Sequence, residues 1–468
     1  MAALDRFGSP FPSSDAEALR EWNGAAHAIL AHGSGVGPAL QRAQARDPDC
    51  ALIEAVRGLV LLVAGRAELV PAARAHAVRA ATLRTGAADE PRGAAFAGAL
   101  EAWLGGSAVR AAERLDAWHA AGPGDVVAVK LAHQLRFMAG DAAGMRRAAL
   151  AALETIGDDH PGRGYVLGCA AFAREELGEY RAAEHWARAA VERNADDVWA
   201  IHAVAHVHEM TGRAPAGARW IEQQRPGWLG CGNLRFHLWW HLALFEIEQG
   251  RHARALELYD EAVRAERTDD FRDVANAVSL LVRLELEGVA VGARWEELAA
   301  LAAARIEDDA VVFARLHYLV ALLRSGRPAA AGALVAALRR AAIRGGGDMD
   351  RVARHPGLAL ARALEAFQAA RYEDAAALFA AAEGRLPWLG GSNAQRDLFL
   401  RFAIEAALRA QRPGLANDMI ARRRASRGGA LDSFAATRLL ALACDADATA
   451  SMPIAATASA PAAAPTIV

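Results

Sequence analysis

An all-α fold of tandem helical hairpins is what this sequence predicts, and three observations predict it. Apolar residues recur at three- and four-residue spacing through long segments, which places them on one side of a helix. Runs of alternating β-branched residues, the mark of strands, are absent. The helical patterns break at Gly65, Gly105, Gly140, Gly178, Gly212, Gly250, Gly288, Gly326, Ala370 and Gln411, with successive gaps of 40, 35, 38, 34, 38, 38, 38, 44 and 41 residues. That period, with a break midway, is the spacing of stacked helix–turn–helix units.

Each break can be checked against the small residues that let two helices of one hairpin approach closely. Around Gly178 the positions seven before the turn and five and twelve after it are Ala171, Ala183 and Ala190. Around Gly250 they are Ala243, Ala255 and Ala262, and around Ala370 they are Ala363, Ala375 and Ala382, with Phe379 and Pro387 in register. This is a tetratricopeptide-like pattern. The units at Gly140 and Gly326 fit it poorly, with His133 and Leu319 at the first small position. A single hairpin cannot bury its apolar face, so the units are expected to stack into one α-solenoid. The expectation is about ten hairpins in one right-handed superhelix, the first helix of each lining a concave inner wall. Residues 1–20, with Pro10 and Pro12, read as an extended lead-in, residues 21–445 as the solenoid, and residues 446–468 as a disordered Ala/Pro/Thr tail. Arg344 to Met349, with three glycines, reads as a loop.

Composition removes several classes of function. Fifty-three basic residues against fifty-five acidic ones give a formal charge of −2, no footprint for nucleic acid or an anionic membrane. Four scattered cysteines form neither a disulfide framework nor a thiolate metal site. No apolar segment is long enough to cross a bilayer, and the first residues lack the apolar core of a secretory signal; a cytoplasmic protein is expected. The phosphate loop and the Gly-x-Ser-x-Gly nucleophile elbow are absent, and Gly33-Ser34-Gly35-Val36-Gly37 follows no strand, which removes the dinucleotide fingerprint.

The chemistry-bearing residues gather on two consecutive first helices. His202, His206 and Glu209 are spaced i, i+4, i+7 and share one helical face, and His237 and His241 form a second i, i+4 pair one hairpin later. In hairpin arrays of this kind the groove-facing positions lie thirteen, ten, six, three and two residues before the turn. Counting back from Gly212 reaches Trp199, His202, His206, Glu209 and Met210, and from Gly250 His237, Trp240, Leu244, Ile247 and Glu248. The same count reaches Glu175 and Glu176 before Gly178, and Lys130 before Gly140.

Four readings fit this set. The rings could simply fill a repeat junction. Trp199, Trp240, Lys130, Glu176 and the His/Glu group could bind a peptide, protein or small molecule in the groove. His202, His206, Glu209, His237 and His241 could ligate Zn, Fe or Mn, or the same five could perform metal-free acid/base catalysis. The zinc-protease pattern His-Glu-x-x-His is not met, because Ala203, Val204 and Ala205 separate the first pair. His208, four before its turn, points toward a second helix, and His133 and His317 are lone core histidines.

The runs His202-Ala203-Val204-Ala205-His206-Val207-His208-Glu209-Met210 and His237 with Trp240 and His241 resemble the tetratricopeptide repeat protein 38 family. So do Leu286-Glu287-Gly288-Val289 with Gly292, Arg294 and Trp295, and Gly390-Gly391-Ser392-Asn393-Ala394-Gln395-Arg396-Asp397; Asp47-Pro48, Lys130 with His133, and Glu176 are weaker echoes. The resemblance covers roughly residues 15 to 440. It implies an all-α repeat protein but no settled activity, so it transfers no catalytic role. It does favour a specific pocket over mere packing, since it includes polar blocks where packing would accept many apolar residues. The functional expectation is a concave ligand pocket. A cytoplasmic hydrolytic or acid/base enzyme at the same residues is the alternative, and a protein–protein scaffold a second one. Convergence of the five side chains around a closed cavity marks the enzyme, and their spread along an open groove marks the binder.

Overall fold

The computed structural model describes residues 3–86, 90–122 and 124–450. Helices pair into hairpins whose turns each hold one residue at positive φ: His32, Gly65, Gly106, Gly140, Gly178, Gly212, Gly250, Gly288, Gly326, Ala370 and Gln411. That makes eleven hairpins among the described residues. Nine of the ten breaks read from the sequence are these turn residues. The tenth, Gly105, is displaced by one, because its neighbour Gly106 takes the positive φ of 96°. The eleventh hairpin, Ala16–Leu30 with Val36–Arg46, lies partly inside the segment read as a lead-in. It starts at Ala16 because Asp15 caps it, accepting a hydrogen bond from Ala18 N. Ahead of it Ala3–Leu4 pairs antiparallel with Pro10–Phe11, strands too short to leave an alternating pattern.

The small-residue register holds: Ala171, Ala183, Ala190, Ala243, Ala255, Ala363 and Ala375 are fully buried and Ala382 nearly so, while Ala262 is half-buried beside a wider helical turn at Tyr259–Val263. Between Arg344 and Asp348 only three glycines are non-helical, since a helix begins at Asp348. The tail read from Ala446 continues the helix Ser433–Ala450, and residues 451–468 lie outside the described residues. No helix among the described residues is long and apolar enough to cross a membrane.

First helices and second helices differ in burial. Every residue of the first helix Val198–Met210 is buried, whereas the second helix Tyr180–Arg193 buries only Ala183, Ala187, Ala190 and Val191. The second helices are therefore an outer, amphipathic layer. An inner helix buried all round needs a partner on the side that an open groove would leave to solvent.

That partner is a later part of the same array. Gly232 N donates to His32 O at 2.7 Å, Ala67 N to Asp308 Oδ1 at 2.8 Å, and Asp348 N to Gly106 O at 2.8 Å. Further along, Asn393 N donates to Glu176 Oε1 at 2.8 Å, Arg427 Nη2 to Glu209 O at 2.7 Å, and Ser433 N to Glu248 Oε1 at 2.7 Å. In each case the turn end of an early hairpin meets a much later segment at or next to a helix terminus. Successive superhelical turns thus rest on each other along a seam of contacts between residues 151 to 242 apart in sequence. A Cβ on Gly140 would run into Pro387 O and one on Gly390 into Met138 O, so glycine is what lets the backbones meet there. Winding closes the groove into a chamber.

Candidate functional site

The chamber's floor is built by the first helices of the Gly212 and Gly250 hairpins, Val198–Met210 and Leu234–Glu248. Asp197 starts the former by accepting from Ala200 N, which fixes the phase in which His202 and His206 face the neighbouring helix. His237 and His241 come from that neighbour. The ring centroids of His202 and His206 are 4.2 Å apart, those of His206 and His241 4.5 Å, and those of His202 and His237 and of His237 and His241 4.7 Å. One ligating atom from each of the four rings lies within 4.8 Å of the others.

Hydrogen bonds orient the rings. His241 Nδ1 is 2.8 Å from Glu209 Oε2, His237 Nδ1 is 3.0 Å from Asn276 Oδ1, and His206 and His202 face each other through Nε2 at 2.8 Å. The carboxylate and the amide oxygen can only accept, so His241 and His237 carry their protons on Nδ1 and turn bare Nε2 atoms inward. His241 Nε2, His202 Nδ1 and His206 Nδ1 are buried without a hydrogen-bond partner among the described residues. Glu175 Oε2 stands 3.5 Å from His206 Nδ1, without a hydrogen bond.

Burial dominates the electrostatics. It depresses the basicity of all four histidines, to about 3 for His237 and His241 and well below 6.5 for His202 and His206; the neighbouring rings add to the effect at His202, His206 and His237, and the Arg283 charge adds to it at His241. The floor is therefore a set of neutral imidazoles, able to ligate a cation but weakened as bases and unable to act as general acids at neutral pH. Glu175, fully buried and beside Glu176, is pushed well above 4.5.

Above the floor lies a cavity of about 400 Å³, reached by His202, His237, Trp199 and Lys130 from the inner helices. Its other walls come from Phe271, Arg272 and Asn276 on the next hairpin, and from more distant parts of the chain through Ile29, His32, Val60, Val63, Val311, Phe313 and Gln395. The lining is mostly apolar with a few convergent polar groups, the make-up of a small-molecule site. Lys130 is 4 % exposed, and its Nζ has no hydrogen-bond partner among the described residues; it stands 5.2 Å above the Trp199 ring.

The residues singled out in the sequence divide into three groups. Trp199, Lys130, His202 and His237 line the cavity. His206, His241 and Glu209 lie behind the lining, in the second row of the same cluster. Trp240 stacks on His237 at a centroid separation of 4.9 Å but does not reach the cavity. Glu176 is spent on the seam, accepting from Asn393 N and pairing with Arg396 at 2.9 Å. Among the other histidines, His208 faces Glu184 of a second helix at 4.0 Å and His317 bonds Phe313 O. His133 accepts from Trp199 Nε1 at 3.1 Å, holding the indole in the wall.

Four contributors escaped the sequence reading: His32, Asn276, Gln395 and Arg272. His32 sits one repeat length before Gly65, so extending the period by one unit would have found it; a histidine in place of the turn glycine hid it. Its ring stacks on Trp199 at 5.2 Å. Asn276 is a lone amide in the apolar run Val274 to Val278, a signal that was present but fell outside the groove positions counted. Gln395 belongs to the segment Gly390 to Asp397, which carries much of the seam: Asn393 and Arg396 meet Glu176, and Gln395 Nε2 reaches Asn276 at 3.3 Å.

Fold and site together define a class, an all-α helical-hairpin repeat protein whose stacked turns enclose a histidine-floored chamber. No protein-family model matches the chain. It aligns with a chain of the solved complex described as "Structure of Naa15/Naa10 bound to HypK-THB" over 87 % of this chain, at 13 % identity and a TM-score of 0.25. The alignment takes in 63 % of that chain, less than two thirds of its length. A score that low does not bear on function.

Proposed function

We propose that this chain binds a small organic anion, an apolar body carrying a carboxylate or similar group, in the closed chamber. The observation that carries the reading is Lys130: a buried side chain whose Nζ has no hydrogen-bond partner among the described residues, facing a mostly apolar cavity of about 400 Å³. Three unused donors in such a place are costly unless a ligand accepts from them. A bound carboxylate would take those bonds while its apolar part lies against Val60, Val63, Phe271 and Phe313. An extended peptide does not suit a groove that the seam has closed. Membership of the tetratricopeptide repeat protein 38 family is part of the same proposal and rests on the shared motifs.

Octanoate and octanol, added to the full chain, test the reading. Octanoate is expected to bind, and its affinity to fall about tenfold or more in Lys130→Met, ~1.4 kcal/mol, with octanol equally weak in both. Equal binding of octanoate by both proteins, or none by the native chain, overturns it. The convergence of His202, His206, His237 and His241 supports the second reading, an enzyme acting on that ligand, for which the neutral rings would serve as bases or metal ligands.

A further inference from the structure

We infer that His202, His206, His237 and His241 form a binding site for one divalent first-row transition ion, open on one side to the chamber. The inference goes beyond anion binding and does not depend on Lys130.

The argument starts from what packing alone would produce. A half-buried histidine held for structure finds partners, as His160 does: its Nε2 meets Phe7 O at 2.8 Å and its Nδ1 accepts from Gly162 N at 3.0 Å. Some lone core histidines, His133 and His317 among them, leave one ring nitrogen unpaired, so an orphan nitrogen alone says little. What sets the cluster apart is convergence. Nε2 of His202 and of His206 face each other at 2.8 Å, a separation that one shared proton can satisfy. The inward Nε2 of His241 has no partner among the described residues and cannot use that same proton. A cation bound by all the inward nitrogens resolves every one of these conflicts together.

The geometry is close to what an ion needs. Four nitrogens on one ion at about 2.1 Å lie at most about 4.2 Å from each other. Here the set lies within 4.8 Å, so small ring rotations complete it. Two rings already have the outer support that metal-bound histidines require, Glu209 on His241 Nδ1 and Asn276 on His237 Nδ1. A second carboxyl group, Glu175, stands 3.5 Å from His206 Nδ1, on the outer side of that ring. His202 is the exception, its Nδ1 unsupported, and it is also one of the two rings that line the cavity. The donor chemistry selects the ion. Neutral imidazoles suit Zn, Fe, Co, Ni or Cu, while Ca and Mg need oxygen ligands that this set lacks. Because His202 and His237 border the cavity, a ligand there can reach the ion's open side.

Cobalt(II) is the probe, since its visible absorption reports nitrogen coordination directly. Full-length protein, stripped with chelator and titrated without any organic ligand, is expected to saturate at one equivalent of cobalt with a single set of visible bands. His206→Ala/His241→Ala should abolish the bands, and His317→Ala and Lys130→Met should leave them unchanged. Glu209→Gln, which keeps the packing, should weaken cobalt binding about 10- to 100-fold. It decides the matter if the double variant does not fold. No saturable bands in the native chain, bands that survive the double variant, or an affinity unchanged in Glu209→Gln would each overturn the assignment. Retention of cobalt binding in Lys130→Met separates this outcome from that of the octanoate experiment.

Discussion

Asp197 shows how one residue can serve the site at a cost to the fold. Its Oδ1 caps the helix that carries His202 and His206, while its Oδ2 is buried with no hydrogen-bond partner among the described residues. Burial pushes its carboxyl up to about 7, a shift that the charge of Lys130 opposes. An acid whose folded value lies above its ordinary 3.8 destabilises the fold as pH rises through that window. Asp197→Asn keeps a capping oxygen and removes the ionisation. The variant should be more stable than the native chain at pH 8, by roughly 2–4 kcal/mol, and gain little at pH 4, as read by urea unfolding at the two pH values. At this scale much of the site was legible: residue type and i, i+4 spacing picked out all four floor histidines, and the count back from Gly140 reached Lys130. Of the residues that complete it, His32 and Gln395 come from far away in sequence and act only once the seam has formed, whereas Asn276 stands on the next inner helix at a position the groove count skips.

Hairpins were the most legible elements, because each turn must hold one residue at positive φ and glycine adopts that conformation without strain. Where another residue stands there, the strain is measurable. Ala370 and Gln411 have φ of 58° and 55°. Ala370→Gly and Gln411→Gly should each stabilise the protein by about 0.5–1 kcal/mol in equilibrium unfolding. Gly140→Ala should do the reverse and lose ~3 kcal/mol or more, since its methyl would meet both a φ of 72° and the Pro387 carbonyl. His32, at φ 55°, repeats the Ala370 strain but carries a ring that closes the chamber against Trp199. His32→Gly should therefore relax the turn and at the same time shift Trp199 fluorescence to the red.

At the scale of the whole molecule, winding decides what the inner helices face. Nothing in a period of 34–44 residues states how far the array coils before it touches itself, which is why an open concave wall was expected and a chamber found. A buried charge cluster braces the inner helices: Asp397 pairs with Arg283 at 3.1 Å, Arg401 at 2.8 Å and Arg423 at 2.5 Å, and Asp432 pairs with Arg423 at 2.5 Å. Burial alone would raise both carboxyls. The surrounding arginines outweigh it and hold both well below the ordinary 3.8. An acid depressed in this way contributes stability above its unfolded value, and that contribution is lost as pH falls below about 4. Native protein should accordingly lose stability steeply from pH 4 toward pH 2, and Asp432→Asn should flatten that slope while lowering stability at pH 7.

The closed winding also sets a clock. A molecule in the chamber would lie against helices of both superhelical turns, so the walls that hold it are the walls that hold the turns together. Breathing of the coil should then contribute to the escape of every guest, alongside the guest's own contacts. Guests of different length should therefore differ less in residence time than in affinity, part of that time being a property of the protein.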